Sequence, residues 1–194
     1  MTVLYELGAL MADRGIEPRG VVHVGGHRGE ELPVYRRLGF ARIVLVEPNP
    51  TLAAMLREIP DVDVVEAACG AYTGRTDLHI TENSKLSSIY RPISRPIART
   101  VPVRVVRLAH VIDHRVNVAV VDAQGAELDV AAGAPLDRLD LLVMETRVRA
   151  KYAGAPLHDD AVGWMARAGW AVAAQWSHGG KHKLHDVAFV PERR

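Results

Sequence analysis

Short, nearly continuous apolar runs alternate along the chain with longer stretches in which apolar and polar residues are mixed. Val and Ile are frequent in the short runs, which favours strands buried on both faces of a sheet. The longer stretches carry the apolar spacing of helices with one buried face. This order predicts an α/β fold in which helices cover both faces of a mostly parallel sheet. The predicted strands span residues 20–25, 42–47, 62–69, 117–122, 139–145, 170–176 and 186–190, and the predicted helices span 29–38, 51–58, 126–132 and 159–168.

The interval 72–111 interrupts this alternation. It contains two strand-like stretches, 76–81 and 101–107, but no clean helical pattern. Between them, residues 82–100 are rich in Ser, Pro and Arg, and an irregular segment of this length in a compact domain is usually functional or disordered. We predict a lid or substrate loop here, with a mobile linker as the alternative. Because we find no internal repeat and no low-complexity linker, residues 1–194 are predicted to form a single domain.

The charge balance argues against nucleic acid as the main partner. Lys and Arg (24) nearly balance Asp and Glu (23), for a net charge of +1, which removes the usual electrostatic reason to expect a nucleic-acid partner. A basic stretch at 91–107 is predicted to be a solvated loop and an edge strand. Cys69 is the only cysteine, so we expect no intramolecular disulfide.

Signals for export or membrane insertion are missing from the sequence. Residues 1–15 lack the basic start and apolar run of a signal peptide, and no apolar segment is long enough to span a bilayer. We therefore expect a cytoplasmic protein without a membrane partner. The sequence leaves the oligomeric state open.

A glycine-rich turn follows the first predicted strand and leads into a helix. Gly25, Gly26 and Gly29 allow a sharp bend and a close approach to a ligand, and the helix start offers free N–H donors. The G-x-G-x-x-G spacing of dinucleotide sites fails, because His27 and Glu30 take the places of the second and third glycines, and no Gly-Lys-Ser/Thr follows. Acids in the first helical turn oppose a pyrophosphate but tolerate a sulfonium cation. A nicotinamide-dependent oxidoreductase is therefore a disfavoured alternative.

The ends of the second and third predicted strands extend this candidate site. Glu47, followed by Pro48 and Asn49, lies about 20 residues past the glycine turn, where an acid can accept hydrogen bonds from both ribose hydroxyls. The alternative is a surface Glu at a strand end. After the third strand, Ala67 and Ala68 offer small side chains against which an adenine ring can lie, although such residues also serve packing.

Three segments resemble the FkbM-type methyltransferases: Glu47-Pro48-Asn49, residues 83–89 and the Asp-x-Gln-Gly-x-Glu stretch that begins at Asp122, which is the most specific. The resemblance spans roughly residues 20–190. It implies a three-layer, Rossmann-like class I methyltransferase sandwich, with about seven mostly parallel strands and an antiparallel last strand. It also implies S-adenosylmethionine as methyl donor and O-methylation of a small-molecule hydroxyl, often on sugars or secondary metabolites.

The resemblance and the strand ends together give a set of expected cofactor contacts. The family usually has Asp at the position of His23 and Asn at that of His27, and the Asp normally helps to hold the amino group of the donor. A neutral imidazole can accept one hydrogen bond, but a protonated one would repel the ammonium. A non-catalytic S-adenosylmethionine-binding module is therefore an alternative. The expected contacts are His23, Gly25, Gly26, His27, Gly29, Glu47, Pro48, Asn49, Ala67, Ala68, Ser88 and Asp122.

Methyl transfer to an alcohol requires alignment of the acceptor and a base that takes its proton. Asp122 ends the fourth predicted strand beside the switch point of the sheet and is the leading candidate, and Gln124 is placed to orient the acceptor. Glu145 ends the next strand and is expected to converge with Asp122. Such a pair either raises the pKa of one partner or binds Mg²⁺, and we favour the metal-free alternative. The other interpretations are a structural ion pair of Glu145 with Arg147 or Arg149, and N-methylation in place of O-methylation.

Three histidines, His178, His182 and His185, lie close together before the last predicted strand. No cysteine accompanies them, and the Gly-Gly pair between them gives no fixed coordination geometry. We predict a solvated loop at the rim of the cleft and no metal ligands.

Overall fold

The computed structural model describes residues 4–178 and 184–192, which contain ten β-strands and five α-helices. The strands are β1 (Gly20–Val24), β2 (Arg42–Val46), β3 (Asp63–Val65), β4 (Ala68–Cys69), β5 (Gly74–Thr81), β6 (Ile97–Val106), β7 (Val118–Val121), β8 (Leu141–Arg147), β9 (Trp170–His178) and β10 (Leu184–Pro191). The helices are α1 (Leu4–Arg14), α2 (Leu32–Arg37), α3 (Pro50–Arg57), α4 (Glu127–Ala132) and α5 (His158–Arg167).

Seven strands form the main sheet, in the order β3-β2-β1-β7-β8-β10-β9. Neighbours from β3 to β8 pair in parallel, whereas β10 is antiparallel to both β8 and β9. The chain builds outward from β1 to β3 and then returns to place β7 on the other side of β1. The carboxyl ends of β1 and β7 therefore form a switch point. The predicted mostly parallel sheet with an antiparallel last strand is confirmed.

Two hydrophobic cores lie on opposite faces of this sheet. Val22 and Val24 of β1 face the core that α4 and α5 cover, and Val21 faces the core that α1, α2 and α3 cover. Because side chains alternate along a strand, strands buried on both faces need apolar residues at nearly every position. Every residue of β1 and of β7 is buried. The result is the predicted three-layer sandwich.

A small second sheet, with the order β4-β6-β5, replaces the alternation at residues 72–111. The hairpin β5–β6 confirms both strand-like stretches, and it packs around a third apolar cluster that includes Leu78 and Val103. The strand predicted at 62–69 is instead two strands, because the chain leaves the main sheet after β3 and enters the small one at β4. β6 pairs with β5 along most of its length and with β4 only at Val105 and Val106, so the edge strand predicted within 91–107 is paired on both sides only near its carboxyl end.

The start of the second helix differs from the prediction, which placed it at residue 29. α2 begins at Leu32, because Gly29 adopts a positive φ of 76° in the preceding turn and a proline occupies the first helical turn. α1 was not among the predicted helices. Within residues 4–178 and 184–192, no helix combines the length and apolarity needed to cross a membrane.

Candidate active site

A cavity of about 310 Å³ opens at the carboxyl ends of β1, β2, β7 and β8. Ligands of open α/β sheets bind at this edge, beside the switch point. The cavity also borders Ala68 and Cys69 of the small sheet, and residues 84–89 cover it. Three predicted catalytic residues, Asp122, Gln124 and Glu145, line its wall.

The turn after β1 brings three strand ends together. The N–H groups of Gly25 and Gly26 both donate to the carbonyl of Val46, at 2.9 and 3.1 Å. Gly25 has a φ of 92°, and a Cβ at this position would lie only 2.0 Å from the carbonyl oxygen of Asp122. Only glycine therefore lets the end of β1 approach the end of β7 so closely.

Glu47 is held at the cavity by two backbone hydrogen bonds. Its Oε2 accepts from the N–H of His27 and its Oε1 from the N–H of Asn49, both at 2.8 Å. Burial raises the pKa of Glu47 to about 7, although these two hydrogen bonds act in the opposite direction. Each carboxylate oxygen keeps a further lone pair that can accept a hydroxyl donor.

His23 lies behind the cavity wall, in the core. The Tyr35 hydroxyl lies 2.8 Å from Nδ1 of His23. Burial lowers the pKa of His23 and raises that of Tyr35, so the imidazole is neutral and the hydroxyl donates to it. An electrostatic repulsion between this histidine and a cofactor ammonium is therefore not expected.

The other predicted cofactor contacts divide into two groups. One group lines the cavity, and the other lies behind its wall. In the second group, the Asn49 side chain accepts a hydrogen bond from the N–H of Thr51 at 3.1 Å and caps α3. Gly26 packs against Leu45. Gly25, His27, Glu47, Pro48, Ala68, Ser88 and Asp122 line the cavity, whereas His23, Gly26, Gly29, Asn49 and Ala67 do not.

Gln124 organises the acidic end of the cavity. Its Nε2 donates to Oδ1 of Asp122 at 2.5 Å, and its Oε1 accepts from the Tyr152 hydroxyl at 2.7 Å and from Nη2 of Arg147 at 3.1 Å. The same Nη2 donates to Oε1 of Glu145 at 2.6 Å. This network fixes two carboxylates at the cavity wall, and the ion pair between Glu145 and Arg147, which was the alternative role expected of Glu145 from the sequence, is present.

Asp122 and Arg147 act on the ionisation of Glu145. Burial and then the charge of Asp122 raise the pKa of Glu145, and the Arg147 guanidinium opposes the rise. A carboxyl group whose pKa moves toward neutrality is a better proton acceptor for an alcohol than an ordinary one. The sequence-based expectation that Asp122 and Glu145 converge on one cleft is confirmed by the cavity lining.

Residues 84–89 form the roof of the cavity and lie within the interval 82–100, where a lid or substrate loop is predicted. Oγ of Ser84 lies 2.8 Å from Nε2 of His27, and Nζ of Lys85 lies 3.0 Å from Oε1 of Glu30. On the other side, the Ser88 hydroxyl donates to the backbone carbonyl of Gln124 at 2.7 Å. The segment is thus tied both to the glycine turn and to the turn after β7.

No site role was predicted from the sequence for Tyr152 or Asp186. Tyr152 belongs to an irregular segment without a catalytic signature, and Asp186 marked only the start of a strand. Asp186 is fully buried, and its Oδ2 lies 3.1 Å from Nε2 of His178. One ligand atom each from Glu145, His178 and Asp186 lie within 4.8 Å of one another. Of the other two clustered histidines, His185 has its Nδ1 2.9 Å from the Ser177 hydroxyl, and His182 lies outside the described residues.

Comparison with known proteins identifies the domain type. The Methyltransferase FkbM domain matches residues 23–170. An FkbM methyltransferase from Methylobacillus flagellatus superposes with a TM-score of 0.63 at 15% identity, covering 89% of this chain and 44% of that one. A protein from Pyrococcus horikoshii, provisionally described as an RNA methyltransferase, gives 0.57 at 12% identity, covering 97% and 81%. The magnesium protoporphyrin IX methyltransferase of Synechocystis, with bound S-adenosylmethionine, gives 0.53 at 10% identity, covering 98% and 78%. No curated protein matches the chain.

Proposed function

The chain belongs to the FkbM family of S-adenosylmethionine-dependent methyltransferases, and on this premise we propose that it methylates a hydroxyl group of a small molecule, a sugar or a secondary metabolite. The observation that carries the proposal is the position of Glu47. Its buried carboxylate is fixed by the N–H groups of His27 and Asn49 and lines the same cavity as Gly25 and Asp122. A donor site and a carboxylate pair thus share one enclosed space.

On the donor side, Glu47 accepts hydrogen bonds from the two ribose hydroxyls. The bend at Gly25 lets the backbone approach the methionine part of the donor, and Ala68 and Cys69 border the place of the adenine. The acids Glu30 and Glu31 also line the cavity. Their negative charge suits a ligand that carries a sulfonium and an ammonium group.

On the acceptor side, the alcohol oxygen attacks the methyl carbon while the carbon–sulfur bond breaks and the sulfur becomes neutral. The alcohol proton passes to the Asp122–Glu145 pair, in which Asp122 is the base or orients it. Gln124 holds Asp122 through the 2.5 Å hydrogen bond and so fixes the direction of the carboxylate. Most of the catalytic advantage comes from alignment of oxygen, methyl and sulfur.

The size and cover of the cavity support a small acceptor. The cavity has a volume of about 310 Å³, within the range for small-molecule sites, and the donor takes up part of this space. Residues 84–89 close it from above through Ser84 and Ser88. Together with the net charge of +1, this favours a compact metabolite over a nucleic-acid chain.

Binding of S-adenosylhomocysteine tests the donor site. We expect Glu47→Ala to weaken binding at least about tenfold in calorimetry, because hydrogen bonds to a charged group are lost. Glu66→Ala is the matched control, since Glu66 pairs with Arg57 at the surface and does not line the cavity. Equal affinity of the Glu47 variant and the native chain, or no binding by the native chain, would contradict the proposal.

Turnover tests the reaction. The native chain is incubated with S-adenosylmethionine and a panel of sugars and hydroxylated metabolites, and release of S-adenosylhomocysteine is followed. Fragmentation of the product by mass spectrometry should place the methyl group on oxygen. A methyl group found on nitrogen would show that the chain is an N-methyltransferase and would contradict O-methylation. Donor binding without turnover for any acceptor would indicate a non-catalytic module.

A further inference from the structure

We infer that Glu145, His178 and Asp186 form a binding site for one divalent transition-metal cation beside the acceptor end of the cavity. The three side chains come from three neighbouring strands, β8, β9 and β10. One ligand atom from each lies within 4.8 Å of the other two. Coordination of the acceptor by this cation rests on the proposed function, but cation binding itself does not.

The sheet register brings these side chains to one place. Asp186 lies directly opposite Glu145 on one side and Trp176 on the other. His178 follows Trp176 by two residues, so its side chain points to the same face of the sheet. A paired and hydrogen-bonded sheet is a rigid support for metal ligands, which need a fixed geometry.

The electrostatics of the cluster favour a cation. Glu145 and Asp186 form a cross-strand pair of like charge, an arrangement that destabilises a sheet. Both are buried, with side-chain exposures of 9% and 0%. Arg147 lies 2.6 Å from Glu145, and Nε2 of His178 lies 3.1 Å from Oδ2 of Asp186. Asp122 is a third carboxylate at the same edge of the sheet, and its charge acts on Glu145.

The donor set indicates the class of metal. One imidazole nitrogen with two carboxylate oxygens suits Mn²⁺, Fe²⁺, Co²⁺ or Zn²⁺ better than Ca²⁺ or Mg²⁺, which prefer oxygen ligands alone. Three protein ligands leave coordination positions open. Because Glu145 also lines the cavity, a hydroxyl of the acceptor can take one of these positions, which would lower its pKa and ease its deprotonation. This differs from the metal-free site that the sequence favoured.

Metal titration of the full chain tests the site. After treatment with EDTA, the protein is titrated with Co²⁺ and Zn²⁺, and binding is followed by calorimetry and by the visible absorption of Co²⁺. We expect one equivalent to bind, and His178→Gln and Asp186→Asn each to weaken binding at least about tenfold. His110→Gln is the control for surface histidines, since His110 is exposed and lies outside the cluster. It should leave the affinity unchanged.

The outcomes separate this inference from the proposed function. Absence of metal binding, or equal affinity of His178→Gln and the native chain, would overturn the metal site. His178 is only partly buried, with 26% exposure, so its variant keeps the test valid if Asp186→Asn fails to fold. S-adenosylhomocysteine binding is measured on the metal-free protein. Donor binding without metal binding removes the metal site alone, and metal binding without donor binding removes the proposed function alone.

Discussion

Glu47 should make the proposed donor site sensitive to pH near neutrality. Burial raises the pKa of its carboxyl group to about 7 in the free protein, so the group is mostly protonated at pH 6 and ionised at pH 8. Only the ionised form offers acceptors to both ribose hydroxyls. We expect the affinity for S-adenosylhomocysteine to fall about tenfold from pH 8 to pH 6, as one pKa unit below the midpoint implies.

The same titration with Glu47→Gln separates this effect from other ionisations. The glutamine cannot titrate, so its affinity should be weaker and nearly constant over this range. A native chain whose affinity does not change between pH 6 and pH 8 would contradict the prediction, and an equal slope in the variant would assign the effect to another group.

Gly25 lies where the end of β1 packs directly against the backbone of Asp122 at the cavity. An alanine Cβ here would lie 2.0 Å from the carbonyl oxygen of Asp122, whereas Gly39, with a similar φ of 83°, has open space around it. Gly39→Ala therefore meets only the conformational cost of a positive φ, about 1–2 kcal/mol. We expect Gly25→Ala to lower the free energy of unfolding by at least about 2 kcal/mol more, because β1 and β7 must separate. Urea denaturation of both variants measures the difference, and equal losses would contradict the prediction.

At the scale of elements, the strands that are buried on both faces are predicted well, and a strand shared between two sheets is not. Strands such as β1 and β7 are buried on both faces, so their continuous apolar runs identify them to within about two residues. The strand predicted at 62–69 fails, because pairing with two different sheets divides it into β3 and β4. No local pattern distinguishes a partner in one sheet from a partner in the other.

The roof segment can be tested through its anchors. Ser88 ties residues 84–89 to the turn after β7 by its 2.7 Å hydrogen bond to Gln124. Ser88→Ala should loosen the segment and speed tryptic cleavage after Lys85, mapped by mass spectrometry. Ser94→Ala is the control, since Ser94 is exposed in the same insertion. Saturating S-adenosylhomocysteine should slow cleavage in both variants. Equal cleavage rates of the two variants without ligand would contradict the anchoring role.

At the scale of the whole molecule, the sequence predicts the cavity residues of the proposed donor end, but it does not predict several residues of the proposed acceptor end. Gly25, Glu47 and Asp122 each end a parallel strand, and such strand ends meet at one edge of the sheet. Tyr152 and Asp186 reach the same region by a loop contact with Gln124 and by antiparallel pairing with β8. Neither the loop contact nor the antiparallel pairing produces a recognisable spacing of residues in the sequence, so the positions of Tyr152 and Asp186 are visible only in the folded structure.

The small sheet should be the least stable unit of the structure and the one that ligand binding stabilises most. The cluster beneath β5 and β6 contains five buried apolar residues, whereas the two faces of the main sheet carry much larger cores. Hydrogen exchange in the β5–β6 hairpin should therefore occur through a partial opening, and faster than in β7 and β8.

Leu78 and Ala68 of this cluster also line the cavity. Opening of the hairpin thus removes part of the cavity wall. If the cavity binds the donor as proposed, S-adenosylhomocysteine at about 100 times its Kd should slow the exchange by up to about a hundredfold. Peptides from β9, which does not line the cavity, serve as the internal control. Exchange in β5 and β6 as slow as in β7, or unaffected by S-adenosylhomocysteine, would show that the two sheets unfold as one unit.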